Sequence, residues 1–258
     1  MKICVLASGS SGNCTFIEIG GVRLLVDAGI SARRIVDGLR AVGERIEDVE
    51  GILLTHEHHD HVTGIPRLME KYGLRLFTNL ATKKALQFPM PYGKWFELKR
   101  EPFAIGAVQI HSFSINHDAA DPMGFRLVNS HESAAVVTDI GSVTNLVRDQ
   151  LTGVNALVFE ANYDPQMLQN GPYPWDLKQR IASRLGHLSN QDSGQFLTEI
   201  HHESLQKVFL AHRSEKNNDP HLSIDTVQQI VETAGKKIPS IELTSQRTAS
   251  NIWTSDNS

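Results

Sequence analysis

The chain has 258 residues, of which 40% are hydrophobic, and carries a net charge of −4. It is long and apolar enough to bury a substantial core, and its charge excludes the general basic surface that many nucleic-acid-binding proteins carry. Two cysteines are too few for a disulfide framework, and no apolar run approaches the ~20 residues of a membrane span. We therefore expect a cytoplasmic protein without a membrane partner.

The first part of the chain alternates short apolar runs with polar turns, as α/β proteins do. Gly20-Gly21, between two such runs, predicts a hairpin turn. Apolar residues at helical spacing predict helices over residues 31–42, 62–71 and 80–86. The predicted strands cover residues 2–6, 15–19, 22–26, 51–55, 74–77 and 95–98.

Residues 55–61, Thr-His-Glu-His-His-Asp-His, follow the fourth predicted strand. Alternate residues of extended backbone face the same side, so we expect His56 and His58 to project together. A helix that starts after this segment would turn Asp60 and His61 toward a neighbouring point. Although a polar turn is the simpler interpretation, imidazole and carboxylate at this spacing are typical of sites for zinc and similar ions. The segment predicts two adjacent metals.

Polar side chains recur at the ends of later predicted strands. Those strands cover residues 107–115, 125–128, 134–138, 155–160 and 207–210. His117, Asp139, Glu160 and His212 each lie at or just after the end of one of them. A lone histidine is by default a core or surface residue. Repetition of the pattern nevertheless predicts that these side chains meet at one edge of the sheets.

The pattern His-x-His-x-Asp-His at residues 56–61 resembles the signature of the metallo-β-lactamase superfamily. The resemblance implies two groups of metal ligands: His56, His58 and His117 in one, and Asp60, His61 and His212 in the other, with Asp139 between them. Two divalent ions roughly 3.5–4 Å apart lower the pKa of a bound water to near 7, which makes a bridging hydroxide available for hydrolysis. Zinc is the favoured ion, and manganese or iron also suits these ligands.

Glu160 and His187 occur in the order found in tRNase Z-type phosphodiesterases. In those enzymes the matching pair relays a proton to the leaving oxygen, so the resemblance implies catalytic roles for Glu160 and His187, alongside Asp60. From the residues alone, Glu160 could form a strand-end salt bridge and His187 could be a surface residue. Lactamases and glyoxalases generally lack the pair, which favours cleavage of a phosphodiester.

Residues 8–14, Ser-Gly-Ser-Ser-Gly-Asn-Cys, resemble the N-terminal signature of the YycJ (WalJ)-like branch of the superfamily. Composition alone is consistent with a loop whose N–H groups bind an anion and equally with an ordinary flexible turn. The resemblance favours the first interpretation and makes Ser10, Ser11 and Asn13 candidate substrate-binding residues.

Two other residues have open roles. Residues 214–218 match the Ser-x-x-Asn-Asn of the same branch, but Arg213 stands where the branch commonly has leucine. Its guanidinium could contact phosphate or be solvated. Asp27, at the end of the third predicted strand, could cap the following helix. The superfamily resemblance implies instead that Asp27 supports the metal-binding loop.

The order of elements predicts one α/β domain over residues 1–250, a four-layer αβ/βα sandwich in which helices flank two mixed β-sheets. The polar tail, residues 251–258, is expected to be disordered. The interval from Asp139 to His212 is too short for the inserted domain of the RNase J and β-CASP nucleases.

The resemblance implies a dinuclear metal-dependent phosphodiesterase of the DNA exonuclease type, with DNA favoured over RNA as substrate. A small-molecule hydrolase acting on a lactone, ester, thioester or β-lactam is the alternative. A non-catalytic protein on this scaffold is disfavoured because the ligand set is complete. The sequence does not indicate an oligomeric state.

Overall fold

The computed structural model describes residues 1–91 and 93–255, and within them two seven-stranded sheets pack face to face. The first sheet contains, in spatial order, β14 (Trp253–Thr254), β1 (Lys2–Ala7), β2 (Cys14–Ile19), β3 (Val22–Val26), β4 (Gly51–Leu53), β5 (Arg75–Thr78) and β6 (Trp95–Glu97). The second contains β13 (Ser240–Leu243), β12 (Lys207–Ala211), β11 (Ala156–Glu160), β10 (Ser133–Val137), β9 (Met123–Val128), β8 (Val108–Ser114) and β7 (Phe103–Ile105).

The helices lie on the outer faces of the two sheets. They are α1 (Ala32–Ala41), α2 (His59–Val62), α3 (Ile65–Tyr72), α4 (Leu80–Ala85), α5 (Asn145–Leu151), α6 (Pro165–Asn170), α7 (Trp175–Ile181), α8 (Asn190–Glu199) and α9 (Pro220–Thr233), with a 3₁₀ turn at Ile46–Asp48. Side-chain caps start several of them: Ser31 accepts a hydrogen bond from the backbone of α1, and Ser189 forms a capping box with Asp192 in α8. The predicted four-layer sandwich is confirmed.

Successive side chains of a strand face opposite sides of its sheet, so the apolar side chains form three cores. One core lies between the two sheets, and one lies between each sheet and its helices. In β1, Ile3 and Val5 face the core between the sheets, whereas Cys4 and Leu6 face the helices. Strands β10, β11 and β12 are buried along their whole length because layers cover both of their faces. Among the described residues, no helix is long and apolar enough to cross a membrane.

Both sheets are parallel around the strands that precede most of the candidate ligands; the exception is His117, which follows the antiparallel strand β8. Strands β3 to β6 run parallel in the first sheet, and β10 to β13 run parallel in the second. The carboxyl ends of β3, β4, β10, β11 and β12 therefore lie at one edge of the sandwich. This edge carries the candidate site.

Two sequence predictions need correction. The helix expected from residue 62 is two helices, because α2 already begins at His59 and Gly64 precedes α3. The tail expected to be disordered from residue 251 is ordered through residue 255. Trp253 pairs with Ile3, and Ser255 bonds the backbone of Met1. Residues 256–258 lie outside the described residues.

Candidate active site

The loop from β4 into α2 brings two of the predicted ligands into contact. Nε2 of His56 lies 3.0 Å from Nδ1 of His58. His117, which follows β8, places its ring 5.1 Å from that of His56 and 5.2 Å from that of His58, measured between centroids. One ring nitrogen from each lies within 4.8 Å of the other two. These three side chains form the first donor group.

The second donor group forms beside the first. It consists of Asp60, His61, Asp139 and His212, whose ligand atoms lie within 4.8 Å of one another. Asp139 Oδ2 is 3.2 Å from His61 Nε2, and Asp139 Oδ1 is 3.3 Å from His212 Nδ1. The same Oδ1 lies 3.7 Å from His117 Nε2, in the first group. Asp139 thus belongs to the second group and also reaches the first.

Three residues at this edge have left-handed backbone conformations. Asp27, Asp139 and His212 have φ of 60°, 57° and 53°, and they are the non-glycine residues with positive φ in the described part of the chain. Each follows a strand, and each belongs to the donor groups or contacts them. Non-glycine residues in this region carry a conformational cost and concentrate at functional sites. The three positive φ values therefore mark this edge of the sandwich as a candidate functional site.

Asp27 holds one ligand of each donor group in place, His61 directly and His56 through Thr55. Its Oδ2 is 2.7 Å from His61 Nδ1, and its Oδ1 accepts a 2.9 Å hydrogen bond from the Thr55 backbone N–H. The Thr55 hydroxyl also lies 2.9 Å from His56 Nδ1. Asp27 does not cap α1, because Ser31 does so. The supporting role implied by the resemblance is therefore the one that the contacts show.

The loop at residues 8–14 packs against the second donor group. The Asn13 amide donates to Asp60 Oδ2 at 3.2 Å, and its Oδ1 accepts from the Gly9 N–H at 2.8 Å. Asn13 is buried, so it holds Asp60 and is not available to substrate. Ser11 is exposed, and its N–H donates to Gln246. Of the three predicted substrate-binding residues in this loop, Ser10 lines the cavity that opens onto the donor groups.

His212 is held at both of its backbone groups. Its N–H donates to Ser8 Oγ at 2.8 Å, and its carbonyl accepts from the Asn162 amide at 2.6 Å. Sequence reasoning assigned neither residue this task. Asn162 lies two positions after Glu160, a candidate catalytic residue, and that proximity was the available signal.

Glu160 and His187 form a hydrogen-bonded pair beside the second donor group. Glu160 is fully buried at the end of β11, and its Oε1 lies 2.7 Å from His187 Nδ1. Its other oxygen accepts a 2.7 Å hydrogen bond from the Ile140 N–H. The same Oε1 is 3.6 Å from His212 Nδ1, which brings the pair next to the second donor group.

Burial and nearby carboxylates shift the pKa values of the histidines down in the first donor group and up in the second. Burial lowers the pKa of His56 well below its usual range and also lowers that of His117. Burial alone would lower the pKa of His61 too, but the carboxylates of Asp27 and Asp139 outweigh it and hold that pKa well above its usual range. Asp139 and Asp60 have the same effect on His212. The carboxylates thus favour positive charge at His61 and His212, and a divalent cation would supply such charge.

The donor atoms do not satisfy one another by hydrogen bonding, and a metal ion would satisfy them. In the described part of the chain, Asp139 Oδ2 and both ring nitrogens of His212 are buried without a hydrogen-bond partner of acceptable geometry. Leaving a buried polar group unsatisfied costs about 1–3 kcal/mol. Imidazole and carboxylate are ligands for zinc, manganese and iron, so divalent ions would satisfy these atoms.

A cavity of about 290 Å³ opens onto the donor groups. His58, Asp60, Asp139, His187 and His212 line one side of it. Larger cavities elsewhere, such as one of about 600 Å³ at the edge strands β6 and β7, have no such donor cluster in their lining. The smaller cavity is therefore the candidate active site.

The predicted contact of Arg213 with substrate finds no support in the geometry. Among the described residues, the cavity lining contains Arg180 and Tyr173 and does not contain Arg213. The Arg213 guanidinium donates to the backbone carbonyl of Ser214 in its own loop. Nothing in the sequence distinguished Arg180 from other surface arginines.

Residues 22–212 match the family model described as the beta-lactamase superfamily domain. The chain belongs to the beta-lactamase superfamily. A curated relative, exodeoxyribonuclease YycJ of Bacillus anthracis, is 36% identical over 239 residues, which cover 91% of this chain and 90% of that protein. The predicted membership of the superfamily and the resemblance to its YycJ-like branch are confirmed.

Solved structures of the superfamily share the fold. The metallo-β-lactamase fold protein YhfI of Bacillus subtilis has a TM-score of 0.72 at 17% identity, and the match covers 98% of each chain. The short form of human tRNase Z has a TM-score of 0.67 at 14% identity, with coverage of 97% of this chain and 99% of that one. This beta-lactamase superfamily protein is therefore a hydrolase by family, and its fold implies divalent metal ions.

Replacing Asp27 by asparagine is expected to weaken metal retention by about 10–100-fold, the usual effect of losing a partner that orients a ligand. Asparagine tolerates the positive φ and keeps an oxygen for Thr55, but its amide presents N–H groups to the N–H of His61. Titration of bound metal with a competing chelator measures the effect. Unchanged retention would show that His61 needs no such support.

Proposed function

We propose that this protein is a dinuclear metal-dependent phosphodiesterase that cleaves nucleic acid, with DNA as the preferred substrate. The observation that carries the proposal is the Glu160–His187 pair, in which a buried carboxylate lies 2.7 Å from an imidazole that lines the same cavity as the donor groups. A relative that is 36% identical and named an exodeoxyribonuclease supports the choice of DNA.

The proposed ligands follow the two donor groups. His56, His58 and His117 would hold one ion, and Asp60, His61 and His212 the other, with Asp139 between them. When bound, such ions supply positive charge for a phosphate and lower the pKa of a coordinated water. Zinc fits best because imidazole is the predominant ligand, and manganese or iron would also be accepted.

The protein's own groups then act on the leaving oxygen. Glu160 contacts Nδ1 of His187 at 2.7 Å, so it fixes the orientation of the ring. Nδ1 is thereby engaged, and Nε2 is the ring nitrogen of this cavity-lining histidine that would act on substrate. His187 would donate a proton from Nε2 to the oxygen that leaves, since an alkoxide is a poor leaving group without that proton. Asp60, held by Asn13, completes the second donor group and lines the same cavity.

An activity panel tests the proposal. Protein loaded with zinc or manganese is expected to hydrolyse bis-p-nitrophenyl phosphate and to shorten end-labelled DNA faster than the matching RNA. A lactone and a β-lactam should react slowly in the same preparation. A chelated sample, and the same sample after metal is restored, serve as controls. Rapid lactone hydrolysis without oligonucleotide cleavage would instead identify a small-molecule hydrolase.

A further inference from the structure

Residues 171–186, which contain α7, form a segment over the cavity that we call the cover segment. None of the seven residues of α7 is buried. A surface helix ordinarily buries one apolar stripe against the core, and packing of that stripe supplies most of its stability. The absence of such a stripe in α7 indicates that its side chains are available for another contact.

The cover segment and the donor groups line the same cavity. Tyr173, Leu177, Arg180 and Leu185 are its contributions to the lining. Backbone hydrogen bonds anchor its C-terminal end at the site, since Asp118 N–H donates to the carbonyl of Leu185 at 3.1 Å. A molecule bound at the donors would therefore lie next to this segment.

The composition of the cover segment differs from that of the whole chain. It contains Lys178, Arg180 and Arg184 against a single acidic residue, Asp176, whereas the chain carries a net charge of −4. The Trp175 side chain is 69% exposed and is the most exposed large apolar residue described. Arg180 is 63% exposed and pairs with Asp118 at 2.8 Å, at the rim of the cavity. Positive charge and an exposed aromatic ring thus stand together beside the donors.

We propose that the cover segment binds the DNA strand next to the scissile phosphate, with Trp175 stacking on a base and Arg180 contacting a backbone phosphate. This inference rests on the proposed phosphodiesterase function. Proteins bind exposed nucleic-acid strands with such a combination of stacking aromatics and basic side chains. Trp175 does not line the cavity, so it would meet a nucleotide beside the one at the donors. Arg180 would exchange Asp118 for a phosphate, whose geometry suits a guanidinium.

Steady-state kinetics of metal-loaded Trp175→Ala and Arg180→Ala test the inference. Loss of one stacked base is expected to raise KM for an oligonucleotide about 5- to 100-fold. The loss on bis-p-nitrophenyl phosphate should be much smaller, because that substrate has no neighbouring nucleotide. Trp175→Phe should restore most of the affinity, since it retains a ring. Arg180→Ala should reduce the slope of log KM against log salt by roughly 0.7–0.9, the value for one lost phosphate contact.

Arg67→Ala is the matched control, because Arg67 is 62% exposed and pairs with Glu70 at 2.8 Å on α3. Metal content, measured for every variant, checks that the site is intact. If KM for the oligonucleotide rises no more in the two cover variants than in Arg67→Ala, the inference is overturned while the phosphodiesterase proposal stands. If wild-type protein does not cleave oligonucleotides at all, both proposals are overturned.

Discussion

Asp139→Asn is expected to reduce hydrolysis of every substrate to the level of chelated protein and to remove bound metal. Asp139 reaches both donor groups, at 3.2 Å from His61 and 3.7 Å from His117, so its loss affects both ions. Asparagine is the appropriate replacement because it tolerates the φ of 57° at this position. It removes the charge while retaining the shape. Elemental analysis and activity on a diester measure the two effects.

Asp225→Asn, at an exposed position on α9, is the control for loss of a carboxylate. Asp60→Ala provides a graded comparison, because the first donor group remains complete without it. It should lose mainly the second ion. Full metal content together with normal turnover in Asp139→Asn would disprove its proposed place between the ions.

His187→Ala is expected to lower kcat on DNA by about 10²–10⁴-fold, the usual contribution of a positioned general acid. It should leave both ions bound, because neither donor group includes His187 in the proposed ligand set. The loss on bis-p-nitrophenyl phosphate should be much smaller, since p-nitrophenolate departs without protonation. Glu160→Gln should show the same substrate dependence with a smaller loss, because its proposed task is to orient the imidazole.

The ratio of the two losses in His187→Ala is the decisive measurement. His59→Ala is the control for loss of an imidazole, since His59 is exposed on α2 and belongs to neither donor group. Equal losses on the two substrates would mean that His187 positions phosphate and does not donate a proton. No loss on either substrate would remove His187 from the mechanism.

The strands that carry the ligands could be predicted because their signals are local. Short apolar runs that end in histidine or a carboxylate are visible at residues 51–61 and 155–160, and the parallel sheets bring such ends together. The long helix α9 and strand β13 were missed. The apolar residues of α9 that face the core, such as Val227 and Val231, are few among polar neighbours, so its periodicity is weak.

Which loop residues face substrate could not be predicted. Asn13 and Ser11 differ by two positions, yet one is buried under Asp60 and the other is exposed. Arg213 follows a ligand directly, but its guanidinium bonds the neighbouring carbonyl, whereas Arg180, far away in sequence, lines the cavity. In irregular backbone, side-chain direction depends on contacts with distant segments, which no local pattern reports.

The sequence by itself indicated most of the strands along the chain, because periodicity expresses local backbone geometry. Its resemblance to the superfamily implied the ligand set and the place of Asp139. Only the tertiary structure decided that Ser8 and Asn162 hold His212 and that Asn13 holds Asp60. The same is true of the cover segment, which lies over the cavity. These relations join residues far apart in the chain, and they arise from the packing of two sheets whose parallel strands end at one edge.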